Sequence, residues 1–394
     1  MLAAAPGGCG GARQECNQVN LCKLLGTVIC AVFLLPTASA VTLGQNAPAA
    51  DRWLAASCDD SPASAGTTLN EPQCADGLSA DLGRLCHSAR WTASAEFIIL
   101  DRIGSLSQPL VETAPGNVPL DQLYGYPCTL ALSDDDFHQG FYGGPRLGLI
   151  RQGDSGCNLE LSYFQIDGWT SARTVGPYDR KAESLVMKAP VEFVQTQDSD
   201  QSMVWQYSTQ LYNAELGGRW NLSDRVTLLA GLRWLELREN LQGALEPPTF
   251  DWEPPFWNVT TTNNLYGFQI GADGTVWQRG RFSITGLLKA GIFDNNAQQS
   301  TDVSIYKFPW PCAASTNHAA FVGETGLTCK YQLTKRLVLK AGYEALWLDG
   351  VALASGQIRD TSSSIKPVKV EALGVNCGSG VFFHGATAGL ECSF

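Results

Sequence analysis

From residue 90 onward, apolar and polar side chains alternate in segments of about ten or more residues, separated by turn-forming clusters. That is the period-two pattern of half-buried strands. Strands are expected at 90–102, 137–151, 157–169, 203–220, 226–240, 264–277, 281–296, 318–332, 337–350 and 381–394. The connections alternate in length. Those at 152–156, 221–225, 278–280 and 333–336 are short, and those at 103–136, 170–202, 241–263, 297–317 and 351–380 are long. A transmembrane up-and-down barrel has tight turns on one rim and long loops on the other; a soluble sandwich or propeller has no reason for the alternation. The expected fold is all-β: a closed antiparallel up-and-down transmembrane barrel of about ten strands, with long outer loops and short periplasmic turns.

The rows within strands sharpen the expectation. In 337–347, Leu337, Leu339, Ala341, Tyr343, Ala345 and Trp347 share one face, while Lys340, Gly342 and Glu344 share the other. In 226–234, Val226, Leu228, Ala230, Leu232 and Trp234 oppose Thr227, Gly231 and Arg233, with Leu229 as an exception. An even strand number returns the C-terminus to the periplasmic rim. There Phe394, Cys392, Leu390, Ala388 and Ala386 share a face of the last strand. A terminal aromatic of this kind is similar to the signal by which bacterial outer-membrane barrels are recognised. The expected partners are therefore outer-membrane lipid and the barrel-assembly machinery, engaged through the C-terminal strand.

Periodicity alone does not tell inside from outside, but aromatic placement does. Trp91, Trp220, Trp277, Phe282, Tyr331 and Phe394 fall at periplasmic strand ends, and Phe141, Trp169, Trp234 and Trp347 near outer ends. Two such rings are the girdles of a membrane barrel, where amphipathic rings sit at the headgroup level. The opposite rows then face the lumen. They carry the acids Glu96, Glu160, Glu215, Asp273, Glu324, Glu344 and Glu391 and the bases Arg146, Arg219, Arg233, Lys289, Lys330 and Lys340. These charges could select solutes in a pore or fill the lumen as salt-bridged side chains. Eight strands already enclose only enough width for side chains, so ten favour the filled lumen. Arg233 and Glu344, at similar depth on separate strands, form a candidate pair.

One internal repeat stands out: 214–234 is similar to 323–343, each a hairpin with an inward Glu and a tight L-[ST]-x-R turn. Upstream, Lys23 precedes an apolar run at 24–35, then Pro36 and Ala38-Ser39-Ala40, the plan of a cleaved export signal. The run is too short for a membrane-spanning helix, which needs ~20 apolar residues. The expected organisation is a signal peptide at 1–40, a poorly ordered periplasmic extension at 41–89 and the barrel at 90–394. The extension has room for a short helix at 78–85 and a Cys74–Cys86 bridge.

The stretches 141–169, 212–239 and 264–293, together with the ending Phe383-His-Gly-Ala-Thr-Ala-Gly-Leu-Glu391, resemble the planctomycete outer-membrane family called the seventh beta-barrel porin family. The resemblance covers about 90–394 and consists of hairpin grammar. It implies fold and location, with porin-like passage as the associated role. Cys392 departs from the aromatic or apolar residue expected near the terminus.

Composition narrows the chemistry. A net charge of −11 and the absence of any Lys/Arg-rich run argue against nucleic acid as a partner. Of thirteen cysteines, nine follow Ala40, none in a CxxC; Cys329 and Cys392 read as small apolar wall residues. The four histidines, His87, His138, His318 and His384, lie in no catalytic motif. Asp134-Asp135-Asp136 could hold Ca²⁺ weakly or form a solvated turn. No catalytic residue, metal site or cofactor is expected. The function implied is passive passage of small polar solutes or a structural surface role. The alternatives are an outer-membrane enzyme and a secreted soluble all-β binding protein.

Overall fold

The computed structural model describes residues 90–394, apart from 105–107, 117, 119–126, 154–155, 179–182, 189–192, 196–199, 247–255, 306–307 and 359–373. The expected signal peptide, periplasmic extension, helix at 78–85 and Cys74–Cys86 bridge fall outside the described residues. In chain order the strands are β1 (Arg90–Gly104), β2 (Pro109–Pro115), β3 (Thr129–Ser133), β4 (Phe141–Gln152), β5 (Cys157–Val175), β6 (Glu183–Lys188) and β7 (Phe193–Gln195). They continue with β8 (Ser202–Asn221), β9 (Val226–Glu246), β10 (Phe256–Arg279), β11 (Phe282–Ile305), β12 (Phe308–Gln332), β13 (Leu337–Val351) and β14 (Ser379–Ser393). Ten of them close an antiparallel barrel in the order β1-β14-β13-β12-β11-β10-β9-β8-β5-β4, with β1 also paired to β4. The other four form a separate sheet in the order β3-β2-β6-β7.

The tight turns explain part of the register. In the β8–β9 hairpin the N–H groups of Leu222 and Ser223 donate to the Val226 carbonyl, and the Ser223 hydroxyl accepts from the N–H groups of Arg225 and Val226. The β12–β13 hairpin repeats this atom for atom with Leu333, Thr334, Arg336 and Leu337. The repeated L-[ST]-x-R sequence is thus one turn built twice, its Ser or Thr hydroxyl capping the corner. At the closing seam Trp91 and Phe394 exchange backbone hydrogen bonds, each 2.8 Å.

Strand lengths are unequal. β10, β11 and β12 run 24, 24 and 25 residues, against 15 for β1, β13 and β14 and 12 for β4. One side of the barrel therefore stands far taller than the other. The spans 241–263 and 297–317, expected as long connections, are mostly this tall wall. β9 continues to Glu246, β10 begins at Phe256, and β11 and β12 together leave only 306–307 between them. The expected strands stop short because the sidedness of the pattern changes. On β9 the outward row is Val226, Leu228, Ala230, Leu232 and Trp234, then Glu236, Arg238, Asn240 and Gln242; the inward row becomes Leu235, Leu237, Glu239, Leu241 and Leu245. On β11 the outward row passes from Phe282, Ile284, Leu288 and Ile292 to Asp294, Asn296, Gln298, Ser300 and Asp302. Below this level the barrel is apolar outside and polar inside. Above it, the order is reversed.

The upper inside face is covered by the small sheet. Leu110, Val111, Leu132, Leu185 and Met187 pack with Met203, Trp205, Tyr207, Leu241, Trp257 and Val259 of the wall. The tall wall and the sheet thus form a sandwich-like head with its own core, in which Trp205 and Trp257 stack at 5.8 Å.

Where strand backbones approach most closely, only glycine fits. A Cβ on Gly385 would lie 1.9 Å from the Ile99 carbonyl oxygen across the β1–β14 seam, whereas one on Gly286 would meet nothing nearer than 3.5 Å. Gly385→Ala is expected to cost at least the ~1–3 kcal/mol of overpacking and to deplete the compact, heat-modifiable band on gels. Gly286→Ala should leave that band unchanged; equal loss in both variants would contradict the seam.

Candidate functional site: a charged vestibule beneath an apolar septum

The inward rows of the lower barrel bring twelve of the thirteen charged candidates around one cavity of about 180 Å³: Glu96, Glu160, Glu215, Asp273, Glu324, Glu344, Glu391, Arg146, Arg219, Lys289, Lys330 and Lys340. The thirteenth, Arg233, lies buried beside them and donates to Glu324 at 2.6 Å and to the Asn213 side-chain oxygen at 2.6 Å. Alternation supplies the placement, because residues two apart share a face.

Within the vestibule the charges pair between neighbouring and more distant strands. Arg146 meets Glu344 in a fork, with both N–H···O distances 2.5 Å. Lys340 donates to Glu96 at 2.5 Å with Glu391 at 3.7 Å. Arg219 bridges Glu160 at 2.8 Å and Asp273. Lys289 donates to Glu215 at 2.8 Å and lies 3.7 Å from Glu324. Arg233 and Glu344 do not form the expected pair. Arg146 reaches Glu344 from β4, which is nearer to β13 around the ring, through β1 and β14, than β9 is, while Arg233 is held by Glu324, Asn213 and Gln269. Equal depth on two strands says nothing about distance across the barrel.

Immediately above, the lumen is closed. Ile98 and Leu100 on β1, Phe164 and Ile166 on β5, Leu211 on β8, Leu235 and Leu237 on β9, Leu265 on β10 and Phe293 on β11 meet in one buried cluster. Val322 on β12, Leu346 and Leu348 on β13, and Phe383 on β14 complete it, with Tyr142 of β4 packed against it. All ten barrel strands contribute, so the septum spans the full cross-section.

Trp169 belongs to this septum rather than to the outer aromatic girdle where the sequence suggested it. It is fully buried, packs on Phe383 at 5.4 Å and donates its indole N–H to the Leu100 carbonyl at 3.1 Å. The register of β5 shifts between Ile166 and Trp169, with Gly168 at a φ of +98°. Asp167 and Gly168 together oppose the single residue Gln210, and this one extra residue turns Trp169 to the lumen side, a bulge that alternation alone does not reveal. The other candidates Trp91, Trp220, Trp234, Trp277, Trp347, Phe282, Tyr331 and Phe394 lie on outward rows. A second bulge, between Thr275 and Trp277, keeps Trp277 outward. Phe141, Phe321, Tyr212 and Tyr266 continue the upper ring.

A strap that alternation does not predict lies on the septum. After β13, residues 352–358 turn into the barrel and are buried throughout. Asn263 holds this strap as a strand neighbour would, accepting from the Ala352 N–H at 2.7 Å and donating to its carbonyl at 2.8 Å. Asn295 donates to the Gly350 carbonyl at 3.1 Å. Glu239 accepts from the Ala354 N–H at 3.0 Å, from the Tyr207 hydroxyl at 2.6 Å and from the Arg102 Nε at 3.0 Å. Inward Asn, Asn and Glu in upper strands were the available signal, since a buried polar group needs a partner.

Other candidates have structural occupations. Asp134 accepts from the Gln108 N–H, and Asp136 from the N–H and hydroxyl of Ser133, so the acidic run caps its own turn. No cluster able to hold a metal ion occurs among the described residues. His384 faces outward with its Nδ1 2.6 Å from the Tyr343 hydroxyl. Cys392 is disulfide-bonded rather than a plain wall residue, and its alternating position had masked that; Cys329 is a free thiol exposed on the outer face.

No family model and no curated protein matches the chain. Among solved structures it is similar to the Escherichia coli outer membrane protease OmpT, at 8% identity and a TM-score of 0.40, over 77% of this chain and 97% of that one. It is also similar to the Ralstonia pickettii toluene transporter TbuX, at 9% identity and a TM-score of 0.31, over 77% and 88%. A third is the Yersinia pestis attachment protein Ail, at 8% identity and a TM-score of 0.20, over 77% and 99%. These likenesses concern barrel shape alone.

The Arg146–Glu344 fork gives a direct test of the paired lumen. Either single alanine variant strands a mostly buried ion and should lower stability by about 1–3 kcal/mol, below the ~3–5 of a dry pair because the ion faces the polar vestibule. The double variant should lose less than the sum of the two single losses in urea titrations in micelles. Additive losses would mean that the two side chains do not interact.

Proposed function

We propose that the chain is an exported outer-membrane barrel with a structural surface role, its closed upper half carrying a rigid β head above the bilayer. The observation that carries the reading is the reversal of polarity at one level of the wall. The lower outward rows, such as 226–234 on β9, have the ~9–11 residues that a tilted strand needs to cross hydrocarbon. Those of β8, β10 and β12 end in aromatic residues at both rims. Above them the inward rows are buried and largely apolar, with Glu239, Asn263 and Asn295 hydrogen-bonded inside. Such an interior has no use in an open pore but suits a wall with water on its outer side. Export by the signal at 1–40 and the hairpin likeness to the planctomycete porin family are part of this reading, as is recognition of the last strand by assembly machinery.

Passage of small polar solutes is the second reading, favoured by the charged vestibule. It requires both septum and strap to move. Planar-bilayer recording of the refolded full chain separates the two. The structural reading expects no steady conductance; a stable open channel in the wild type would replace it with the pore.

The bilayer placement has its own test on a single row. Ile270 and Thr262 both face outward on β10, below and above the reversal. Ile270→Arg should cost roughly 2–4 kcal/mol in vesicle folding titrations, and Thr262→Arg close to zero. Similar costs would remove the membrane boundary. At the seam, Phe394→Asp should lower outer-membrane yield in cells while changing folding free energy by only ~0–1 kcal/mol, the interfacial value. A normal yield would sink the recognition role of the terminal aromatic.

A further inference from the structure

The outer face of the tall wall carries more than solubility requires. Above the Glu236–Arg238 pair, the outward rows of β8–β11 are mostly Gln, Ser, Asn and Thr, with Val204, Ala244 and Phe256 toward the top edge, Asp294, Asp302 and Glu246 as the only charges and no base among the described residues. Solvated protein surfaces usually hold about a quarter to a third of charged residues of both signs mixed together. Exposed sheet in particular is normally protected from aggregation by Lys and other charges.

The amides are also ordered. Asn240 donates to the Asn258 side-chain oxygen at 2.7 Å and to the Thr260 hydroxyl at 2.9 Å. Asn296 donates to Asn317 at 2.8 Å, and Gln298 to Asn296 at 3.0 Å. Cross-strand pairing holds these groups flat on the wall, which leaves a lattice of neutral groups that both donate and accept.

We propose that this wall is an interaction surface for the neutral saccharide headgroups of the lipids around the barrel. The inference rests on the membrane placement above and goes beyond it by naming what the head contacts. Location selects the occupant, because the lattice starts directly above Tyr212 and Tyr266 of the aromatic ring and, on the Trp234 row, above the Glu236–Arg238 pair. Whatever projects from the lipids at that ring must lie along it. Chemistry selects the class. Hydroxyl groups both donate and accept, as the wall's amides and hydroxyls do, whereas phosphate would call for free Arg or Lys, and the base on these rows, Arg238, is already paired with Glu236. Packing against another polar protein face would leave many amides imperfectly paired and costly to desolvate.

The test uses the full chain refolded into nanodiscs of equimolar phosphatidylcholine and digalactosyl diacylglycerol. Lipid retained after mild detergent extraction is then quantified. The wild type should retain the galactolipid about threefold or more above the bulk ratio, the factor one net hydrogen bond supplies. The triple variant Asn258→Asp, Asn296→Asp, Gln298→Glu keeps side-chain shape but removes three donors and adds charge, and it should fall to the bulk ratio. Both proteins should show equal heat-modifiable migration, which reports insertion independently of the wall. Bulk-ratio retention by an inserted wild type overturns the saccharide surface and leaves the membrane reading intact. A wild type that inserts in neither lipid overturns both. If soluble isomalto-oligosaccharide displaces the retained galactolipid at low micromolar concentration, the surface serves free glycan, and the headgroup assignment is overturned.

Discussion

A β-strand presents alternate residues to two faces and cannot change phase without a bulge. In this barrel the surroundings of those two faces exchange part-way up the wall while β8 to β11 run through that level without a register shift. Between Trp234 and Glu236 on β9, and between Ile292 and Asp294 on β11, the outward row passes from apolar to polar and the inward row from charged to apolar. Every other feature depends on that exchange. Burial free energy is available on the outside below it, where lipid accepts the apolar row. Above it, burial is available only on the inside, where the side chains must meet one another.

The inner partners needed above the exchange come from three places. Side chains from all ten barrel strands make the septum, residues 352–358 add a strap, and the sheet β3-β2-β6-β7 covers the inner face of the tall wall. The strap brings backbone N–H and C=O groups into a dry interior, where unpaired polar groups are costly. Asn263, Asn295 and Glu239 satisfy several of them. Arg102 and Tyr207 in turn neutralise and orient Glu239. These buried polar residues are therefore structural, and the charges below them form a second, wetter layer. Removal of one member from such paired networks is expensive, although a pair as a whole contributes little net stability.

Much of the fold was legible in the sequence because the lower barrel obeys one simple rule. Apolar residues at every second position, tight L-[ST]-x-R turns and aromatic strand ends suffice to place ten strands and the facing of Arg146, Glu215, Lys289 or Glu344. What was hidden has specific physical causes. Trp169 changed sides through a bulge whose positive-φ residue, Gly168, looks like any other glycine in the chain. The continuation of β9 through Leu241 and Leu245 kept its period but inverted its sides, so an assignment that expects apolar residues outward ends the strand too early. Partnership across a lumen, such as Arg146 with Glu344, depends on strands far apart in sequence, and alternation contains no such distance.

The exchange of environments can be measured along one strand. A single-cysteine scan of β9, in a background whose free thiols are replaced by serine, would be read in vesicles with a water-soluble maleimide. At 227 the inward thiol should react from the vestibule, while outward thiols at 228–234 stay dark in lipid. Past the reversal the pattern should invert, with outward positions 240 and 242 labelled and inward positions 235, 237 and 241 protected. Labelling at 235, 237 and 241 as fast as at 227 would reveal a continuous water column and contradict the account.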